Sequence, residues 1–200
     1  MRMHIRPFRP AAVPPPRAGT SFPETHRPVD VEIGCGVGYH PIQYAQANPG
    51  RLLVAIEHTK TRYGRFARRL EGHPHLSNIL PIHANAIRWI THRVAPASVE
   101  RLFLLYPNPY PKASQANRRW YAMSFMSRLL DVLISGGTLH LATNESYYAD
   151  EAMAYMVEFW GLPCVRNRLL KAGDMAPRSH FEKKYLAQGA SCHDLVFQKP

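Results

Sequence analysis

The stretch Asp30-Val31-Glu32-Ile33-Gly34-Cys35-Gly36-Val37-Gly38 decides how this chain folds. Its apolar positions read as a buried strand, and its glycines, at every second position, as a tight turn into a helix over residues 39–48. Without a Cβ, the turn can bend sharply and bring backbone close to a ligand. The spacing is G-x-G-x-G, which departs from the G-x-G-x-x-G dinucleotide fingerprint. Glu32 widens the difference, because a carboxylate beside the turn repels a pyrophosphate but suits an amino group and a sulfonium. Glu57, ending the strand that starts at Leu52, stands where an acid accepts both ribose hydroxyls. Glu32, Gly34, Gly36, Gly38 and Glu57 therefore form a candidate binding set for a nucleoside cofactor. S-adenosylmethionine carries the matching groups.

Outward from this stretch, strand and helix patterns alternate, which predicts an α/β fold, a mostly parallel sheet with helices on both faces. Further strands are expected over residues 79–83, 99–106, 138–142, 164–169 and 195–198, which makes seven with the first two. Gly136-Gly137 is read as the turn into the fifth of them. The helix over 61–71 puts Tyr63, Phe66 and Leu70 on one face and Arg62, Arg65 and Arg69 on another. The arginine stripe is either a solvated face or a phosphate track, and the sequence leaves both open. Later helices pass through Trp89 and Ile90, carry Phe125, Leu129 and Leu133, and cover 147–160. The segment Ser179-His180-Phe181-Glu182-Lys183-Lys184 is expected to be loop.

Residues 28–200 thus read as one domain, preceded by a basic, proline-rich, flexible arm over 1–27. The arm carries Arg2, Arg6, Arg9 and Arg17 around Pro14-Pro15-Pro16, so it is expected to be extended rather than packed. An RNA-binding segment and a solvated tail both suit it. In an open parallel sheet, ligands sit beyond the carboxyl ends of the strands. Glu32, Glu57, Asn85, Asn108 and Asn144 all fall at or just after such ends and should ring one crevice.

A net charge of +11 favours a polyanionic partner, nucleic acid above all, with affinity that falls steeply with salt. Cys35, Cys164 and Cys192 show no C-x-x-C spacing, which suits a reducing compartment without a disulfide frame. The histidines show no H-E-x-x-H or Cys/His ligand spacing, so no metal is expected. No apolar run approaches membrane-spanning length and no secretory signal is present, so the expectation is a cytoplasmic monomer or weak homodimer.

The segment Pro107-Asn108-Pro109-Tyr110-Pro111-Lys112 follows the fourth strand. Its prolines stiffen the loop, so Asn108 is a preset polar group and the candidate catalytic residue. Tyr110 offers a stacking face, and Lys112, Arg118 and Arg119 supply charge for phosphates. Taken in order, Glu32 to Gly38, Glu57, Pro107 to Lys112 with Arg118-Arg119, Ala142-Thr143-Asn144, and Ser179 to Glu182 resemble the bacterial tRNA (guanine-N7)-methyltransferases. The resemblance covers the chain from about Val29 to its end. It implies a doubly wound, Rossmann-like class I methyltransferase fold with S-adenosylmethionine as cofactor and tRNA as partner. It also implies that Glu32, Glu57, Asn85 and Asn108 bind cofactor, while Lys112, Asn144, Ser179, Phe181 and Glu182 bind the substrate nucleoside.

The family pattern has aspartate at the positions of Asn85, Asn108 and Asn144, commonly threonine at Ser179, and usually tryptophan at Tyr110. Asn85 can still accept a hydrogen bond from the adenine amino group. At Asn108 and Asn144 the change matters more, because guanine presents two adjacent donors and an amide offers one acceptor and one donor. Glu182 is retained and could read guanine alone. N7 has no proton to lose, so transfer rests on positioning and needs no general base. The amides leave two further readings: an inactive relative that holds tRNA or cofactor, and a methyltransferase acting on another base or substrate.

Overall fold

A computed structural model describes residues 4–17, 22 and 25–200. A seven-stranded sheet runs through it in the order β3-β2-β1-β4-β5-β7-β6. The strands are β1 (Val29–Ile33), β2 (Leu52–Glu57), β3 (Ile79–His83), β4 (Val99–Leu105), β5 (Leu133–Thr143), β6 (Cys164–Leu170) and β7 (Cys192–Gln198). The pairs from β3 through β5 are parallel, and β7 is antiparallel to both β5 and β6. Val31, Leu53, Val54, Leu102 and Leu104 are fully enclosed, as strands covered on both faces require. Between the strands lie α1 (Tyr39–Ala47), α2 (Lys60–Glu71), α3 (Ala86–Arg93), α4 (Met126–Val132), α5 (Ser146–Ala154) and α6 (His180–Ala187).

The chain runs outward through β1, β2 and β3, then returns to place β4 on the other side of β1. That reversal opens a crevice at the carboxyl ends of β1 and β4, where an open α/β sheet receives its ligands.

Four local expectations differ from the structure. Ser179 to Lys184 is not loop: Ser179 caps α6 by accepting a hydrogen bond from Glu182 N (3.1 Å). The S-x-x-E spacing was a readable capping signal. β5 begins at Leu133 rather than 138, and Gly136-Gly137 lie inside it beside a register shift opposite Val99 and Arg101. The helix expected to carry Leu133 stops at Val132. The arm, mostly exposed, touches the core at a few points: Phe8 meets Phe125 edge-on at 5.3 Å and Phe22 approaches Trp89 at 6.1 Å. Arg88 donates to the carbonyls of Pro14 (2.9 Å) and Pro15, and His92 contacts that of Val13 (2.8 Å). Apolar side chains that find a partner on the core outweigh the extended habit of the prolines. Arg2 lies outside the described residues.

Candidate active site

The glycine turn forms as its spacing requires, with Gly34, Gly36 and Gly38 at φ of 76°, 62° and 78°. Gly38 has a second constraint, since a Cβ there would stand 2.0 Å from the ring of Phe66. The turn therefore lies directly on α2. Nothing comes within 4 Å of a Cβ built on Gly34 or Gly36, and both border the crevice.

The crevice has two chambers. The larger, about 1010 Å³, is bordered by Glu32, Gly36, Asn108, Asn144, Ser179 and Phe181 among others. The smaller, about 380 Å³, is walled by Ile33, Ile56, Ala84, Ile87, Trp120 and Met123, with His58, Asn85, Asn108, Asn117 and Arg118 among its polar positions. Gly34 and Asn108 border both. Of the five residues expected to ring it, Glu32 and Asn144 border the larger chamber, Asn85 the smaller and Asn108 both, whereas Glu57 borders neither.

Glu32 is buried and accepts a hydrogen bond from His40 Nδ1 at 2.7 Å. Glu57 is turned under the glycine turn, where it accepts from Gly36 N (3.0 Å) and Thr59 N (2.7 Å), and it borders neither chamber. Its carboxylate holds the turn in place. The Asn85 amide oxygen caps α3 by accepting from Arg88 N (3.2 Å). Asn108 Oδ1 accepts from Tyr110 N at 3.2 Å, which fixes the loop and sets Tyr110 at φ 46°. Burial, with the carboxylates of Glu32 and Glu57, pushes the Cys35 thiol well up, which disfavours the reactive thiolate.

Two residues assigned to substrate are engaged elsewhere. Arg119 was expected to hold phosphate, but it is 4% exposed. Its guanidinium donates to the Tyr110 carbonyl (2.9 and 3.2 Å) and pairs with Glu151. Glu182 was expected to read the base, but it is fully enclosed. Arg178 holds it through the side chain (2.7 Å) and the backbone N–H (2.6 Å), and Tyr106 OH donates to it at 2.9 Å. Burial alone would raise its pKa; the hydrogen bonds and charge of Arg178 outweigh that and hold it below the usual carboxylate range. Lys112 is exposed and borders neither chamber. Arg118 borders the smaller one, with its guanidinium 5.9 Å from the Tyr110 ring.

The positive wall of the larger chamber comes instead from α2. Arg62, Arg65, Arg68 and Arg69 all border it, and none of them pairs with a carboxylate among the described residues. Arg69 lies 5.9 Å from the Tyr39 ring and 3.5 Å from His180 Nε2, so α2 meets α1 and α6 there. The helix spacing was visible in the sequence; that this face turns into the crevice was not. Among the described residues no group of His, Cys, Asp and Glu is arranged to hold a metal ion, and no helix is long and apolar enough to cross a membrane.

The crevice fits S-adenosylmethionine. The open Cβ positions at Gly34 and Gly36 leave room for a ligand against the backbone, and Glu32 supplies a carboxylate for its cationic end. The largely apolar smaller chamber, with Asn85 on its border, suits a flat heteroaromatic ring. Sheet order, glycine turn and crevice together define the class of Rossmann-like, S-adenosylmethionine-dependent methyltransferases. Solved structures of that class share the fold. A 16S rRNA methyltransferase, KamB, superposes with a TM-score of 0.65 over 86% of this chain and 88% of its own, at 21% identity. The 16S rRNA (adenine(1408)-N(1))-methyltransferase of Catenulisporales acidiphilia does so at 0.62 over 86% and 85%, at 16% identity.

Within the class, residues 26–195 match the family model described as "Putative methyltransferase". A tRNA (guanine-N(7)-)-methyltransferase of Mycolicibacterium gilvum is 32% identical over 87% of this chain and 68% of its own length. That of Nitrosomonas eutropha is 30% identical over 92% and 86%, and that of Burkholderia thailandensis 32% identical over 84% and 63%. The chain belongs to the tRNA (guanine-N(7)-)-methyltransferase family.

Proposed function

We propose that this protein methylates N7 of a guanine in tRNA with S-adenosylmethionine as donor. The observation that carries this is one cavity joining the glycine turn to four arginines without a carboxylate partner among the described residues, with Asn108 on the border of both chambers. A small cationic cofactor and a polyanion each find their counterpart there. S-adenosylmethionine, when bound, supplies an electrophilic methyl group.

The protein's part is to orient the two reactants. Glu32 and the smaller chamber hold the cofactor, with Glu57 fixing the turn from below. Arg62, Arg65 and Arg69 hold phosphates, and the exposed ring of Phe181 offers the base a stacking surface. The N7 lone pair needs no base to free it, so fixing Asn108 through Tyr110 and Arg119 contributes by positioning. The three cysteines are free, which suits the reducing cytoplasm where tRNA is processed.

Incubation with labelled S-adenosylmethionine and unmodified bulk tRNA, followed by mass spectrometry of the nucleosides, tests this reading. 7-methylguanosine is the expected product. A different methylated nucleoside would replace the target, and cofactor binding without transfer would establish an inactive binder.

A further inference from the structure

Among the described residues, two carboxylates border the larger chamber, Glu32 and Glu145, and none borders the smaller. Glu32 is engaged by His40. Glu145 precedes the first turn of α5, makes no ion pair among the described residues, and caps nothing with its side chain. Its Oε1 accepts a hydrogen bond from Asn144 Nδ2 at 2.7 Å. Its backbone N–H donates to Thr143 Oγ1 (3.1 Å), so the residue is held from two sides. A carboxylate keeps spare lone pairs after accepting one hydrogen bond, and Oε2 has no partner among the described residues.

We infer that Glu145 is the group that reads the Watson–Crick edge of the target guanine. This assignment rests on the activity proposed above. Guanine offers two adjacent donors, N1–H and the 2-amino group, and a carboxylate is the side chain that accepts both. Glu182 cannot serve while Arg178 and Tyr106 enclose it, and Asn144 lacks the second acceptor. Glu145 faces the base, and its neighbour Asn144 aims it. An amide at 144 is thereby explained, because an aspartate there would set a like charge beside Glu145 and take away its donor.

Equilibrium binding separates this from any question of turnover. The protein, saturated with S-adenosylhomocysteine, is titrated with a short single-stranded RNA carrying one guanosine, then with the same RNA carrying inosine, which lacks the 2-amino group. Wild type should bind the guanosine RNA about tenfold or more tightly than the inosine RNA, as loss of one charged hydrogen bond requires. Glu145→Gln should weaken guanosine binding by about tenfold to a hundredfold and close the gap to inosine, with unchanged S-adenosylhomocysteine affinity as the sign of an intact fold. The exchanged pair Asn144→Asp/Glu145→Asn should recover part of the preference, whereas Asn144→Asp alone should not raise it. A gap that survives in Glu145→Gln, or is absent from wild type, overturns the assignment. Discrimination without methyl transfer would leave Glu145 in place and remove the proposed activity; transfer without discrimination would do the reverse.

Discussion

Gly36 and Gly38 share a left-handed backbone yet serve different ends. Alanine at 38 adds a clash with Phe66 to the strain of φ 78°, so Gly38→Ala should destabilise the fold by roughly 2–4 kcal/mol. Alanine at 36 meets open space, so its cost should be that of the backbone alone, about 1–3 kcal/mol. Its methyl group would stand where the cofactor approaches. Urea melts read the first effect, and titration with S-adenosylhomocysteine reads the second as weakened affinity in Gly36→Ala. Glu32→Gln and Glu57→Ala should both weaken cofactor binding, by different routes. Glutamine at 32 keeps an acceptor for His40, so this variant should leave the melt close to wild type. Glu57 ties down Gly36 and Thr59, so its loss should lower the melt as well. Equal melts for the two variants would refute that division.

At the scale of elements, the α2 stripe, left open by the sequence, borders the crevice, whereas Arg119 from the loop after β4 is tied up inside the fold. If α2 is the phosphate wall, alanine at Arg62, Arg65 and Arg69 should flatten the dependence of log Kd for tRNA on log salt. Every phosphate deprived of its arginine should take about one unit off the slope. Arg119→Met should leave that slope alone and instead reduce stability by about 1–3 kcal/mol, since Glu151 and the Tyr110 carbonyl lose their donor. α6 depends on its cap: Ser179→Ala should cost about 1 kcal/mol by removing the acceptor for Glu182 N. Strand positions were legible because β2 and the Leu102 to Leu105 part of β4 are continuous apolar runs, and β1 sets apolar residues at alternate positions just before the glycine turn. α6 was missed because its short, mostly polar sequence carries little helical periodicity, although the Ser179 and Glu182 capping spacing was there to read.

Across the whole molecule, His140 on β5 and Glu182 on α6 couple stability to acid. Burial first, then the charge of Arg166, pushes the pKa of His140 down from 6.5 to about 3, so it stays neutral in the fold. The unfolded chain takes up that proton below pH 6.5, so stability should fall as the pH drops from 6.5 towards 3. Glu182 is held below its ordinary range, so its contribution is complete above the unfolded carboxylate pKa and lost as the pH falls through the folded one. Thermal melts across this range should show a shallower decline in His140→Gln above about pH 4 and in Glu182→Gln below it. The sequence by itself determined the alternating fold, the glycine turn, the family and the crevice that receives Glu32, Asn85, Asn108 and Asn144, because each follows from local periodicity, backbone sterics or short motifs. Only the tertiary structure decided which charges are free. Arg119 and Glu182 are conspicuous in the sequence and occupied in the fold, while the α2 arginines and Glu145 stand at the crevice without an ion-pair partner among the described residues. Whether a charge is available depends on partners far away in the chain, such as Glu151 for Arg119, and no local pattern carries that information.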